Sequence, residues 1–403
     1  MPIFLLLVAC HQGISLDGDG VSTADVEQLD QQAECGGPCI VPEQGVFAAY
    51  HRLEIDEDGV AWVSWVEVQV GAAPVMYLAR SARPGALFEP SVRVPTAEPP
   101  IVGGSEKPAL AAQRGALMVA YTGLGEYRHG DALAIYRQHA RIDGPAVTFD
   151  DAVLVEESPG GAWVMEQPQL AMAPDGVAWL LYKRQQYATR DVAVWASSAT
   201  DFVSVPVSDG LSTGHECSPP HLRVDGDGRP VAALRSNVDG FLETAVVVGE
   251  AADPVYLTDS AWAYTDAVCP EDGPRLAIDE ETWAGVWVAP TDDGAVWRSH
   301  FAASHDSGRT WTVPVESHED VGLGERWPTI TAAGGGRFIT TSERLDRSTR
   351  WFDRSSVDAV PVARELQAPG GGSVEDAEVA HGGNRTAALA RSEAGRLVLI
   401  ELK

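Results

Sequence analysis

The feature that most constrains this 403-residue chain is a phrase that returns at a near-constant interval. A proline, one spacer and an aliphatic residue occur as Pro108-Ala-Leu110, Pro168-Gln-Leu170, Pro220-His-Leu222, Pro274-Arg-Leu276 and Pro328-Thr-Ile330. His51-Arg-Leu53 and Ala377-Glu-Val379 fill the same place at either end without the proline. Successive aliphatic positions are 57, 60, 52, 54, 54 and 49 residues apart. A period of this length means that one supersecondary unit is copied along the chain, and that no copy can bury its apolar face alone. Gly59, Gly176, Gly228 and Gly336 each fall six residues after the aliphatic, where a hairpin turn calls for positive φ.

A second marker repeats with the same period. Val92-Arg-Val94, Val153-Leu-Val155, Val205-Pro-Val207, Val255-Tyr-Leu257, Val313-Pro-Val315 and Val360-Pro-Val362 each close a unit. Pro206, Pro314 and Pro361 lie within these short apolar runs, and a residue without an N–H belongs on a sheet edge. Between the two markers run two further apolar strands, such as Val60–Trp65 and Val75–Leu78 in the first unit. Four short strands per unit of about 50 residues, the last on an edge, describe a β-propeller blade. Six full units run from Leu53 to Glu378. Thr386–Ala390 and Arg396–Ile400 supply strands of one more unit, and Ile40-Val41-Pro42 resembles its missing fourth strand. The expected fold is all-β, a propeller over 40–403 of seven four-stranded blades closed by both termini, which leaves no edge of the ring open. Six blades with a C-terminal appendage is the alternative.

Charge narrows the partners. Asp and Glu number 58 against 29 Lys and Arg, a net charge of −29, and Lys107, Lys183 and Lys403 are the only lysines. Neither nucleic acid nor an anionic membrane surface is matched by such a chain, since both are recognised through basic patches. No Gly-x-Ser-x-Gly, His-Glu-x-x-His, phosphate-binding loop or dinucleotide fingerprint occurs. The expected state is a monomer.

One turn is specific. Ser304-His-Asp306-Ser-Gly308-Arg-Thr310-Trp311 matches the Asp-box, S-x-D-x-G-x-T-W, and lies between the third and fourth strands of its unit. Ser81-Ala-Arg-Pro-Gly85-Ala-Leu-Phe88 looks like a copy that has lost the Asp. On these residues and the blade pattern the chain resembles the sialidase-like Asp-box propeller superfamily. The resemblance implies that Ser304, Asp306, Gly308, Thr310 and Trp311 are a folding element on a blade rim. It also implies a site where three arginines hold a substrate carboxylate beside a Tyr–Glu pair and an acidic residue. The first such arginine normally stands in an Arg-Ile-Pro phrase, which is absent; Tyr50-His51-Arg52-Leu53-Glu54 occupies the place, with Arg275 and Arg326 at other inner-strand entrances. The expected function is therefore a binding or interaction module for a glycan or a protein, with a sialidase-like exo-glycoside hydrolase as the alternative.

Acid recurs ahead of the inner strands. Glu106, Glu166, Glu216, Glu271 with Asp272, Glu325, and Asp376 with Glu378 each stand a few residues from their marker, and with Arg52 they are the candidate binding residues at one channel mouth. Such carboxylates suit glycan hydroxyls, a basic peptide or a cation such as calcium, although no dedicated metal site is expected. His215, Trp163 and Trp327 flank the same loops and offer faces for a sugar. The alternative is that each acid caps its own loop.

The N-terminus points to export. Residues 1–10 end in Leu7-Val8-Ala9-Cys10 after an apolar run and resemble a lipoprotein signal whose Cys10 is lipidated, so a lipid-anchored place on a bacterial envelope is expected. Residues 11–39 read as an acidic spacer. Cys35, Cys39, Cys217 and Cys269 form an even set without paired zinc-knuckle spacing, which favours disulfides: one within Cys35-Gly-Gly-Pro-Cys39 and one joining Cys217 to Cys269. Asn384-Arg-Thr386 has the form of a glycosylation sequon and reads equally as a hairpin turn.

Overall fold

The computed structural model describes residues 35, 37–42, 46–103, 106–113, 115–125, 133–144, 146–157, 163–186, 190–208, 218–238, 241–250, 252–257, 264–265, 273–290, 296–317, 324–344 and 346–403. They form seven antiparallel sheets, each with a path of four strands that runs in sequence order from the channel outward except where the last blade takes its outermost strand from the N-terminal side. The innermost strands of blades 1 to 7 are Phe47–Ile55, Ala109–Gln113, Trp163–Met172, His221–Val224, Arg275–Asp279, Glu325–Ala332 and Val374–Gly382. Each packs on the innermost strand of the next blade, and blade 7 packs on blade 1, so the ring is closed.

Closure follows the sequence reading. The fourth strand of blade 7 is Cys39–Ile40, paired with the third strand Leu397–Glu401 through Cys39 opposite Val398 and Ile40 opposite Leu397. Cys35 is bonded to Cys39, which ties the segment before this strand to it. The edge prolines also lie where expected. Pro206 is in the outermost strand of blade 3, and Pro314 and Pro361 immediately precede the outermost strands of blades 5 and 6. The four hairpin glycines all have φ between 76° and 87°. Two blades exceed four strands: Ala146–Phe149 pairs with the third strand of blade 2 and Tyr264–Thr265 with that of blade 4. In blade 2 that third strand, Leu133–Asp143, is 11 residues long and outruns its regular partner, leaving an edge for the extra pairing.

The core lies between blades rather than within them. Seven clusters of buried side chains each join two neighbours, for example Leu53 and Trp65 of blade 1 with Leu389 and Leu399 of blade 7. Strand alternation sends successive side chains to opposite blade faces, and both faces of a blade are covered by neighbours. Trp62, Trp65, Trp195, Trp283 and Trp287 are all 2% exposed or less and fill these seams. Burying each is worth on the order of 2–3 kcal/mol or more.

Candidate functional site

The inner strands do not run straight to the channel mouth. In blades 1, 3, 6 and 7 the pairing with the second strand slips, between Ala49 and Arg52, Glu166 and Gln169, Arg326 and Thr329, and Glu375 and Glu378. Each bulge places a non-glycine residue in the left-handed region: Tyr50 at φ 55°, Gln167 at 57°, Trp327 at 48° and Asp376 at 50°. Such a residue costs about 1–2 kcal/mol, and a bulge re-aims the side chains it carries. All four are one residue ahead of the recurrent phrase. The repeat marker is thus also a marker of the bulge, and the bulges line one end of the channel.

Where the inner-strand entrances of blades 4 to 7, 1 and 2 converge there is a cavity of about 220 Å³, whose walls include Tyr50, Arg52, Lys107, Arg275, Trp327, Asp376 and Glu378. Arg52 Nη1 lies 2.6 Å from Glu378 Oε1, and Lys107 Nζ lies 2.9 Å from Asp376 Oδ1 and 4.0 Å from Glu378. His51, wholly buried behind them, donates through Nε2 to the Asp376 carbonyl at 2.7 Å, with Nδ1 3.8 Å from the Asp376 carboxylate. Burial works against the ionised form of Asp376, but Lys107 and His51 more than offset it and hold the carboxyl down to about 2. Glu378 is likewise held low against its burial by Arg52, Lys107 and His51. Burial lowers the pKa of His51, with the charge of Lys107 acting in the same direction and Asp376 and Glu378 opposing it. Arg326 stacks 4.0 Å over the Trp327 ring and pairs with buried Glu343 at 2.6 Å.

Below the mouth the channel narrows to a waist of about 50 Å³, shared by Arg52, Glu54, His221, Arg223, Arg275 and Glu378. That is room for one or two waters. Burial raises the Glu54 carboxyl to about 7, opposed by Arg223 at 3.9 Å. Beyond it the channel widens again to about 230 Å³ at its far end, beside Glu54, Arg223 and His381.

The candidate acids divide between two tasks. Asp376 and Glu378 line the mouth with Arg52. Others turn into the seams, because inner strands of adjacent blades do not ladder with one another and their inward amides need acceptors. Glu106 accepts from Gln167 N of blade 3 at 3.0 and 3.1 Å and from Thr122 Oγ1 at 2.9 Å; burial and the nearby Glu166 raise it to about 8. Glu166 faces buried Lys183 at 3.5 Å. Glu325, 3% exposed, accepts from Ser299 N of blade 5 at 2.9 Å. The same stitch is made by Glu378 to Leu53 N, Glu343 to Asp376 N and His221 Nδ1 to Leu276 N. Glu216, Glu271, Asp272, His215, Cys217, Cys269 and Cys10 lie outside the described residues, as does the side chain of Trp163. Of the three arginines, Arg52 and Arg275 line the mouth while Arg326 is turned to Glu343.

Sequence reasoning passed over Lys107, His51, Glu54 and Arg223. Lys107 carried a signal, being one of three lysines and adjacent to Pro108. Glu54 and Arg223 follow Leu53 and Leu222 directly, so strand alternation was enough to aim both into the channel. Among the described residues no group of three or more His, Cys, Asp or Glu side chains is arranged to hold a metal ion.

No family model matches the chain, and no curated protein sequence does. Solved structures do. A polysaccharide lyase superposes with a TM-score of 0.57 at 10% identity, covering 87% of this chain and 90% of its own. An α-L-arabinofuranosidase from Fusarium graminearum, in complex with an iminosugar inhibitor, gives 0.54 at 12%, covering 91% and 96%. A Trypanosoma rangeli sialidase in complex with the inhibitor DANA gives 0.47 at 11%, covering 76% of this chain, which spans 55% of that protein's length. At these identities the likeness is one of fold alone, and the fold here is a seven-bladed β-propeller.

Proposed function

We propose that this propeller is a glycan-binding module, with its ligand seated in the cavity at the bulged mouth of the channel. The observation that carries this reading is the pairing of Asp376 and Glu378 with Lys107 and Arg52 beside the rings of Tyr50 and Trp327. Fixed, ionised, hydrogen-bonding groups next to an aromatic wall suit the alternating polar and apolar faces of a sugar. Hydrolysis is less well served. A glycosidase needs one carboxyl that keeps its proton near neutral pH, and both mouth carboxyls are held low. The raised carboxyl of Glu54 sits at the waist, where no sugar ring fits. The fold shared with a polysaccharide lyase and an arabinofuranosidase accords with a carbohydrate ligand.

The site of action in this reading is a bacterial envelope, with the chain anchored through lipid on Cys10; the Cys35–Cys39 bond suits an oxidising compartment. Mass spectrometry of the mature protein is expected to find acylated Cys10 at its N-terminus, and any other N-terminus rejects the anchor. For the ligand, a glycan array probed with wild type, Arg275→Ala and Trp327→Ala is expected to give binding that each variant weakens about tenfold or more. Binding unchanged in both variants would sink the proposal. Turnover of a fluorogenic glycoside, abolished by Arg52→Ala, would favour the hydrolase, a reading supported by Arg52 and Arg275 lining one cavity with Tyr50.

A further inference from the structure

The seam between blades 5 and 6 holds a buried cation that has no counter-ion among the described residues. Arg354 ends the third strand of blade 6, Thr349–Arg354, and is 5% exposed. Its Nη1 donates to Ala359 O at 2.9 Å and its Nη2 to Ser317 O at 2.7 Å, one acceptor on each side of the seam. The guanidinium lies 4.2 Å over the Phe301 ring. Every one of these partners is neutral. Nε is buried with no acceptor, and no charged group contributes to the fall of Arg354 to about 10, which burial alone causes.

Arg385 shows what the arrangement lacks. It is 2% exposed and clamps the seam between blades 7 and 1 in the same manner, donating to Gly59 O and Ser81 O. There, however, Glu401 accepts from both Nε and Nη2 at 3.2 and 2.6 Å, so the charge is matched. A buried guanidinium without a carboxylate is costly, and its planar fork is shaped to receive one in bidentate fashion.

Arg354 lines a groove of about 700 Å³ that opens to the outer rim between the two blades. Its other walls are largely apolar: Phe301, Val315, Val357 and Phe352, with Val313 and Val360 at the lip, 78% and 84% exposed. Among the described residues the groove's carboxylates lie toward solvent: Glu316 is exposed, and Asp358, 77% exposed, faces His305, while a second cation, Arg350, also lines the wall. The outer strands on the two sides are preceded by Pro314 and Pro361, which take backbone donors away from any added peptide strand. An occupant that needs no backbone ladder fits better.

We propose that this groove binds a free fatty acid, with its carboxylate on the Arg354 guanidinium and its acyl chain along Val315 and Val357 to the valine lip. The ligand supplies to Arg354 what Glu401 supplies to Arg385. The volume is in the range of small-molecule sites, and the groove is separate from the channel.

The test is calorimetric titration of the full chain with sodium laurate and, as the uncharged control, 1-dodecanol, both below aggregation. Laurate is expected to bind one per chain, and dodecanol about tenfold more weakly or worse, since it forfeits the charge-assisted pair. Arg354→Met is expected to reduce laurate to the level of dodecanol. A second variant, Val313→Asp with Val360→Asp, alters only exposed lip residues and is expected to weaken laurate about tenfold; it decides the matter if Arg354→Met does not fold. Absence of laurate binding, equal binding of dodecanol, undiminished binding to the lip variant, or binding of an acidic peptide in place of laurate would each overturn the proposal.

Discussion

Single residues in this protein matter chiefly through the groups they leave without partners. Asp306 illustrates this in the Asp-box turn. Its carboxylate accepts from Thr310 N at 2.8 Å, Thr310 Oγ1 at 2.6 Å and Ser304 Oγ at 2.8 Å, while Ser304 Oγ takes the Gly308 amide at 2.9 Å. Gly308 has φ 80°, and a Cβ there would run into the Trp283 ring, so the glycine serves both the turn and the seam. The bonds from the Thr310 hydroxyl and amide hold the Asp306 carboxyl down to about 2 from an ordinary 3.8. A depressed carboxyl stabilises the fold above its unfolded value and loses that contribution as pH falls through the folded one. Asp306→Asn is therefore expected to melt below wild type at pH 6, with the gap closing between about pH 4 and pH 2. Thermal melts of both proteins across that range check it, and a gap independent of pH would mean that the charge of Asp306 is immaterial to the turn.

At the scale of strands and blades, stability resides in the seams. An inner strand has amides on the side facing its neighbour that no sheet partner takes, and buried glutamates and His221 satisfy several of them, while Arg354 and Arg385 tie carbonyls farther out in their seams. Arg385 is the most fully engaged. Replacing it by methionine removes three bonds across the blade 7–1 seam and strands Glu401 of its own blade, which is 21% exposed. Loss of one partner from a buried pair costs roughly 3–5 kcal/mol, and with Glu401 partly solvated the lower end is expected for Arg385→Met. Urea unfolding measures it; a change under about 1 kcal/mol would show the clamp to be dispensable. This scale also marks the limit of what was legible beforehand. The repeated acids near Pro108, Pro168 and Pro328 stood out in the sequence, but which of them faced the channel did not. Glu378 and Glu325 both stand near a bulge; one lines the mouth and the other is bonded to Ser299 N of the neighbouring blade. The difference arises from which blade passes alongside, and spacing along one strand carries no record of it.

For the molecule as a whole, closure is the weak point of any ring. The last blade borrows Cys39–Ile40 from the N-terminal side, and Ile40 is buried in the core shared by blades 7 and 1. Removing residues 1–42 is expected to cost roughly 2–3 kcal/mol for the lost side-chain burial and pairing. It also bares the edge of Leu397–Glu401 to other chains. A lower melting midpoint together with loss of monodispersity on size exclusion is the expected result, and an equally stable monomer would show that three strands close blade 7 well enough.

Repetition determined the architecture before any coordinate was known. The period set the blade, the edge prolines set the outer strand, and the apolar run at residues 40–42 pointed to the closing strand one residue away from where it pairs. These are local properties, fixed by hairpin geometry and by which residues tolerate an edge or a turn. The pairing of charges was decided by the ring alone. Lys107 meets Asp376 across 269 residues and Arg52 meets Glu378 across 326, because closure sets blade 1 beside blade 7 and brings the entrance of blade 2 to the same mouth. The same is true of Arg354, whose lack of a carboxylate among the described residues shows only once the two sides of its seam are brought together. Charge compensation at a buried site depends on distances in space, and only the tertiary structure brings those partners together.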